Sequence, residues 1–184
     1  MNGGKEYLYE LIEQRQSDRR YDPRPVKPEV IERIMQAVRL APSACNAQPW
    51  SFVVVTDEET RHQLSAACTS KMLGINHFTY QAPVHIVVVE EKANFSAAMG
   101  NWIKKMHFSH FDIGIALSHL TLAATAEGLG SCIMGWIDEK KIRTALGIPD
   151  SKRVLFDVVL GYSLDPKRDK KRKAMDEIVH QEKW

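Results

Sequence analysis

Apolar positions along this chain change their period several times, and each change marks an element. Tyr7, Leu8, Leu11 and Ile12 share one face at helical spacing, which predicts a helix over residues 5–15. A polar stretch with three prolines follows, from Ser17 to Pro28. Pro28 suits a first helical position, and Val30, Ile31, Ile34, Ala37 and Val38 carry helical spacing to Leu40 before Pro42 stops it. Trp50 to Val55 is rich in β-branched residues and predicts a strand. Thr56 or Asp57 is placed to cap a helix over residues 58–68. Residues 69–82 show no readable period. Val84 to Val89 is a nearly unbroken apolar run, which predicts a strand covered on both faces. Phe111 to Leu129 is apolar or small almost all round, which predicts a helix buried on most sides. Asp112 suits its positive end, and Gly128 and Gly130 are natural terminators. Ser131 to Trp136 reads as a short strand or loop, Asp138 caps a helix reaching Leu146, and Val154 to Leu160 is a further strand closed by Gly161.

Strands alternating with helices predict a layered α/β or α+β domain, and no repeat or second domain interrupts residues 1–184. The apolar helix at 111–129 leaves two readings open. It is a core helix under a sheet, or it is shared with a partner subunit across a large apolar interface.

Composition excludes more than it assigns. Hydrophobic residues make up 44% and charged residues 26%, an ordinary globular balance. No apolar run approaches the ~18 residues that a bilayer span needs. No signal-peptide core follows Met1 to Glu6. Cys45, Cys68 and Cys132 are odd in number and far apart, without disulfide or metal spacing, so the expectation is a reducing cytoplasm and no membrane. The net charge of +2 hides an asymmetry: residues 167–173 carry +5 and the rest of the chain −3.

Three segments carry candidate chemistry. Arg15, Ser17 and Arg19 follow the first helix, and a guanidinium fork matches phosphate oxygens in pairs. The plainer reading is a solvated turn in which Asp18 pairs locally. Pro42-Ser43-Ala44-Cys45-Asn46-Ala47-Gln48-Pro49-Trp50 places small residues and two amides between a helix and a strand. Small side chains admit close backbone approach to a planar ligand, and the amides suit a ring edge that both donates and accepts. Its plainer reading is a connection with Trp50 in the core. The basic run at Lys167 to Lys173 is a solvated tail, a nucleic-acid arm or a clamp on a small phosphate. No aromatic residue interleaves it, which argues against stacked bases. His107 and His110 can share a helical face but lack a convincing third metal ligand. Nucleophile elbows, Rossmann loops and P-loops are all missing from the sequence.

Taken together, the R-x-S-x-R stretch, the P-S-x-x-N-x-Q-P-W stretch, the D-I-G-I-A helix ending in G-L-G and the basic arm resemble the FMN-dependent nitroreductase family. The resemblance covers residues 10–180. It implies an α+β fold with a central mixed β-sheet flanked by helices. It also implies an intertwined homodimer in which residues 165–184 form an arm embracing the partner. Arg15, Gln16 and Ser17 are then expected at the ribityl phosphate of FMN, with Lys170 and Arg172 completing the clamp. Arg19 is expected at the flavin N1/O2 edge. Backbone of Ile133, Met134 and Gly135 is expected near N5, and Pro42, Ser43, Ala44 and Asn46 reach the flavin from the other subunit. NADH or NADPH is the implied reductant, and a nitroaromatic or quinone the implied acceptor, in a ping-pong reaction. The same fold also supports reductive dehalogenation, flavin cleavage and dehydrogenation, and outside enzymes the alternative is a flavin-binding sensor or carrier. No catalytic side chain and no metal are assigned. Ala44 stands where some members have a second serine, Met134 where some have an acid, and residues 71–77 do not align with a cofactor segment. Trp102, His107, Phe108 and Phe111 cluster as candidate substrate-side aromatics.

Overall fold

The computed structural model describes residues 3–70, 72–92 and 107–184. Within them the chain forms α1 (Gly3–Gln14), α2 (Pro28–Arg39), β1 (Trp50–Val55), α3 (Glu58–Cys68), β2 (Val84–Glu90), α4 (Phe108–Ala126), β3 (Gly130–Met134), α5 (Glu139–Leu146) and β4 (Arg153–Gly161). The four strands lie in the order β1-β2-β4-β3, and each neighbouring pair is antiparallel. The sheet is therefore mixed only through one isolated parallel bridge among the described residues, Ser17 to Ser131 at the outer edge of β3.

Alternation along the central strands supplies a core on each face. Val84, Ile86 and Val88 of β2 and Val158 and Leu160 of β4 pack against α2 and α4. Val87, Val89, Val154 and Val159 face the other way, against Leu64, Ala67 and Cys68 of α3 and Ile142 of α5. This explains the unbroken apolar run in β2: it is antiparallel, yet helices cover both its faces. α3 and α5 start as their sequences demand. Asp57 accepts from Thr60 N–H at 2.9 Å, and Asp138 accepts from Lys141 N–H at 3.1 Å.

The second core holds a buried polar cluster that no spacing announced. His85 Nδ1 lies 2.7 Å from Asp157 Oδ2, and both side chains are fully buried. The Cys68 thiol donates to the same oxygen at 3.2 Å. Ser65 Oγ and the Thr79 carbonyl lie 3.4 and 3.3 Å from His85 Nε2. The unreadable stretch before β2 thus has a job. Its 3₁₀ turn, His77–Gln81, follows Asn76 in a left-handed conformation and delivers the Thr79 carbonyl to the cluster.

α4 begins a turn before the expected start and ends three residues sooner, where Gly128 takes a positive φ of 74°. Its two sides differ. Ile113, Ala116, Leu117, Leu120 and Ala124 are buried in the first core. Phe111, Gly114, Ile115 and Ser118 form an exposed stripe at helical spacing. Beside it in composition, α1 exposes Tyr7, Leu8, Tyr9 and Ile12.

Candidate anion-binding site

α1 ends at Gln14, and the chain turns sharply to run beside the edge strand β3. Asp18 N–H donates to the Ser131 carbonyl at 3.0 Å, which fixes that course. Arg15, Ser17 and Arg19 are carried on this turn. The arm that follows β4 returns to the same place. Leu164 N–H donates to the Arg20 carbonyl at 2.9 Å, and Arg168 N–H donates to Gln16 Oε1 at 3.1 Å. Residues far apart in sequence so line one cavity of about 380 Å³: Arg15, Gln16, Ser17, Arg19, Arg168, Asp169, Lys170, Lys171 and Arg172.

The electrostatics of this cavity are one-sided. Arg15, Arg19, Arg168, Lys170 and Arg172 form no ion pair among the described residues. Arg19 and Arg168 donate to the Ser17 carbonyl, Lys170 to the Ile12 carbonyl, and Arg172 to the Lys171 carbonyl. The nearby acids are engaged elsewhere. Asp18 accepts from Ser163 Oγ and Gln16 Nε2 at 2.8 and 2.9 Å. Asp165 accepts the Arg19 N–H at 2.6 Å. Burial first, and then Arg15 and Arg172, hold the Lys170 ammonium below the usual lysine range. Asp169 is the acid in the lining and the cations outnumber it, so an added anion relieves their repulsion.

β3 supplies an open edge to the same region. Ser131 turns its carbonyl outward to Asp18, so the two-residue period turns the main-chain groups of Ile133 to the same side. Ile133 is itself 38% exposed, Met134 is buried and Gly135 is exposed.

The Pro42–Asn46 segment lies elsewhere. Ala44 N–H donates to Asp112 Oδ1 at 3.0 Å, so this loop is anchored to the first turns of α4. Ser43 Oγ accepts the Gln48 N–H at 2.9 Å, and the Gln48 amide donates to Asn46 Oδ1 at 3.1 Å. Cys45, Asn46 and Gln48 all have φ near +50° (51°, 50° and 46°), a costly conformation concentrated in one loop. Thr125, at the far end of α4, lines a cavity with Arg15. Thirteen residues separate it from Asp112, about 20 Å at helical rise. One chain therefore brings together Arg15, Gln16, Ser17, Arg19, Lys170 and Arg172 beside the middle and C-terminal half of α4, and holds Pro42, Ser43, Ala44 and Asn46 at its N-terminal end.

Three functional candidates escaped the sequence reading: Arg168 within the basic run, Asp18 as a brace, and Asp112 as the loop's anchor. Of the expected substrate-side aromatics, Trp102 lies outside the described residues, and Phe111 is exposed. His107 and His110 stack on each other with centroids 5.5 Å apart. No group of three or more metal-ligating side chains occurs among the described residues.

Comparison with known proteins places this geometry. The nitroreductase family model matches residues 12–162. The chain belongs to the nitroreductase family. A protein of Archaeoglobus fulgidus provisionally named NADH dehydrogenase/NAD(P)H nitroreductase is 33% identical over 185 residues, covering 97% of this chain and 99% of its own. Iodotyrosine deiodinase 1 of Mus musculus is 29% identical over 200 residues, covering 94% of this chain and 68% of its own. The solved structure of an FMN-dependent nitroreductase from Clostridium difficile superposes with a TM-score of 0.75 at 28% identity, covering 95% of this chain and 98% of that one. The α+β nitroreductase fold expected from the motifs is the fold of this chain. No described helix is long and apolar enough to cross a membrane.

Proposed function

We propose that this chain is an FMN-dependent oxidoreductase that takes hydride from NADH or NADPH and reduces an electron-poor small molecule such as a nitroaromatic or quinone. The observation that carries this reading is the convergence of Arg15, Arg19, Arg168, Lys170 and Arg172 with no carboxylate partner among the described residues. A phosphate monoester carries roughly two negative charges near neutral pH. The donor set fits it, because guanidinium forks bond two oxygens at once and Ser17 adds a hydroxyl. Arg15, Ser17, Lys170 and Arg172 hold the phosphate in this reading, and Arg19 faces the pyrimidine edge of the ring. A bound FMN would supply two-electron chemistry between a nicotinamide and an acceptor that use the site in turn, a ping-pong reaction. A fixed Arg19 cation favours extra electron density beside it. The open edge of β3 at Ile133, Met134 and Gly135 offers main-chain groups along the ring. No side chain is assigned as acid, base or nucleophile, and water supplies protons.

The reading includes a homodimer. Pro42, Ser43, Ala44 and Asn46 reach a cradle only when it belongs to a second subunit. Two copies of α4 crossing antiparallel about a two-fold axis set the Asp112 end of one beside the Thr125 end of the other. The exposed stripe of α4 supports that contact. The arm beyond residue 165, with Met175, Ile178, Val179 and Trp184 exposed, then embraces the partner. None of the three cysteines forms a disulfide, in keeping with a reducing cytoplasm.

Anaerobic titration of the purified protein with NADH and with NADPH tests the reading. A yellow protein bleached by either nucleotide supports it. A colourless protein, or a flavin that neither nucleotide reduces, overturns it. Reductive dehalogenation is a second reading, favoured by the deiodinase relative. Iodide release from an iodophenol, measured beside turnover of a nitroaromatic, separates the two.

A further inference from the structure

Gln16 stands among residues whose resemblance implies contact with the phosphate, but its amide is already in use. Nε2 donates to Asp18 Oδ1 at 2.9 Å and to the Pro166 carbonyl at 3.0 Å. Oε1 accepts from Arg168 N–H at 3.1 Å. A carboxamide has two N–H donors, and both are taken. Gln16 cannot donate to an anion without releasing the arm or Asp18.

Asp18 is the fixed end of this connection. It is 5% exposed. Besides Gln16, its Oδ1 accepts from Ser163 Oγ at 2.8 Å, and its own carbonyl accepts from Tyr21 Oη at 2.8 Å. Burial pushes the Tyr21 phenol well above its usual range, so it remains a donor. Gly130 leaves room for the carboxylate: a Cβ there would stand 2.6 Å from Asp18 Oδ2. The Arg15–Arg19 turn is thus pinned to β3 and to the end of β4. Only beyond Ser163 does the chain leave the sheet, and Gln16 ties that departing arm back at two points, Pro166 and Arg168, beside the side-chain bonds that Asp165, Arg168 and Lys170 make to the same region.

We infer that Gln16 is a positioning residue, a latch that joins the two halves of the cation cradle, and does not itself bind the anion. The inference rests on the cradle being the phosphate site. It makes Gln16 one of the bonds that keep Arg168, Lys170 and Arg172 at the cradle, together with those of Arg168 to Ser17 and Lys170 to Ile12.

The test uses Gln16→Met, which keeps the volume and removes all three bonds, in the full-length protein. Hydrogen exchange of residues 166–172, followed without flavin, reads the latch directly. Faster exchange there, with β2 and β4 protected as in the parent, is expected. FMN affinity reads the consequence: Gln16→Met is expected to weaken it on the order of tenfold, the scale of a few lost hydrogen bonds. In an Arg168→Ala/Lys170→Ala/Arg172→Ala background the same change is expected to cost almost nothing further, because a latch acts through the arm's cations. Parent-like exchange at 166–172, or FMN losses that add in full, would overturn the inference. Should no form bind FMN, the cofactor reading fails while the exchange experiment still decides the latch.

Discussion

Two polar clusters in this molecule use overlapping chemistry to opposite ends. In the cradle, five cations gather at a surface cavity, and four of them, Arg19, Arg168, Lys170 and Arg172, bond main-chain oxygens. Under α3, His85, Asp157, Cys68, Ser65 and Thr79 meet one another in full burial, and only Asp157 Oδ1 lacks a partner. A charge in the core has to be matched inside the protein, since no water can do it. A charge at the rim is left unmatched at small cost, and what is left unmatched is available to a ligand. The cluster with satisfied partners therefore serves the fold, and the one without serves binding.

The largest expected effect breaks the core cluster. His85→Ala leaves the Asp157 carboxylate buried without its main partner, and is expected to cost about 3–5 kcal/mol in urea unfolding. Near-parent stability would show that the cluster is not a structural one. In the cradle the consequence is reversed. Arg15→Ala is expected to change apo stability by less than about 0.5 kcal/mol, since no ion pair is lost. It is expected to weaken FMN binding by about 1.5–3 kcal/mol, tenfold or more, the worth of a hydrogen bond to a charged group. Loss of stability without loss of affinity would invert the assignment. Raising the salt concentration is expected to weaken FMN retention in the parent and less so in Arg15→Ala, because exposed charges are screened.

Gly130→Ala tests the boundary between the two regimes. The new methyl would meet Asp18 and Ser163, the latter at 2.8 Å, and is expected to cost about 1–3 kcal/mol by overpacking. The smallest experiment perturbs nothing. A thiol reagent is expected to spare buried Cys68 in the native protein and to label it only on unfolding. Burial and then Asp157 hold the Cys68 thiol far above its usual range. Rapid native labelling of Cys68 would show that the core cluster opens.

Periodic elements were the legible ones. α2, α3, α5 and the strands have apolar spacing and caps that act within a few residues. The mixed sheet implied by the resemblance is antiparallel throughout its four strands, because pairing depends on which strands meet and not on their own composition. Residues 69–82 had no period to read because a left-handed Asn76 and a 3₁₀ turn shape them. Arg15, Ser17, Arg19 and the basic arm stood out as local motifs. Asp18 looked like a local counter-ion to its neighbours, and its bond to Ser163 spans 145 positions.

The sequence by itself determined where helices and strands form, which segments carry anion-seeking groups, and the family to which they belong. Those properties follow from neighbours within a turn or two, or from motifs that stay recognisable in pieces. Tertiary structure alone decided that His85 meets Asp157 across 72 positions, that the arm returns to α1, and that the Pro42–Asn46 loop is anchored at the N-terminal end of α4 while its own chain's cradle lies beside the middle and C-terminal half. Each depends on chain closure over long separations, which no local spacing encodes. The same charged and polar residue types became core braces in one place and an open cradle in the other, because only the folded chain sets which of them lose water.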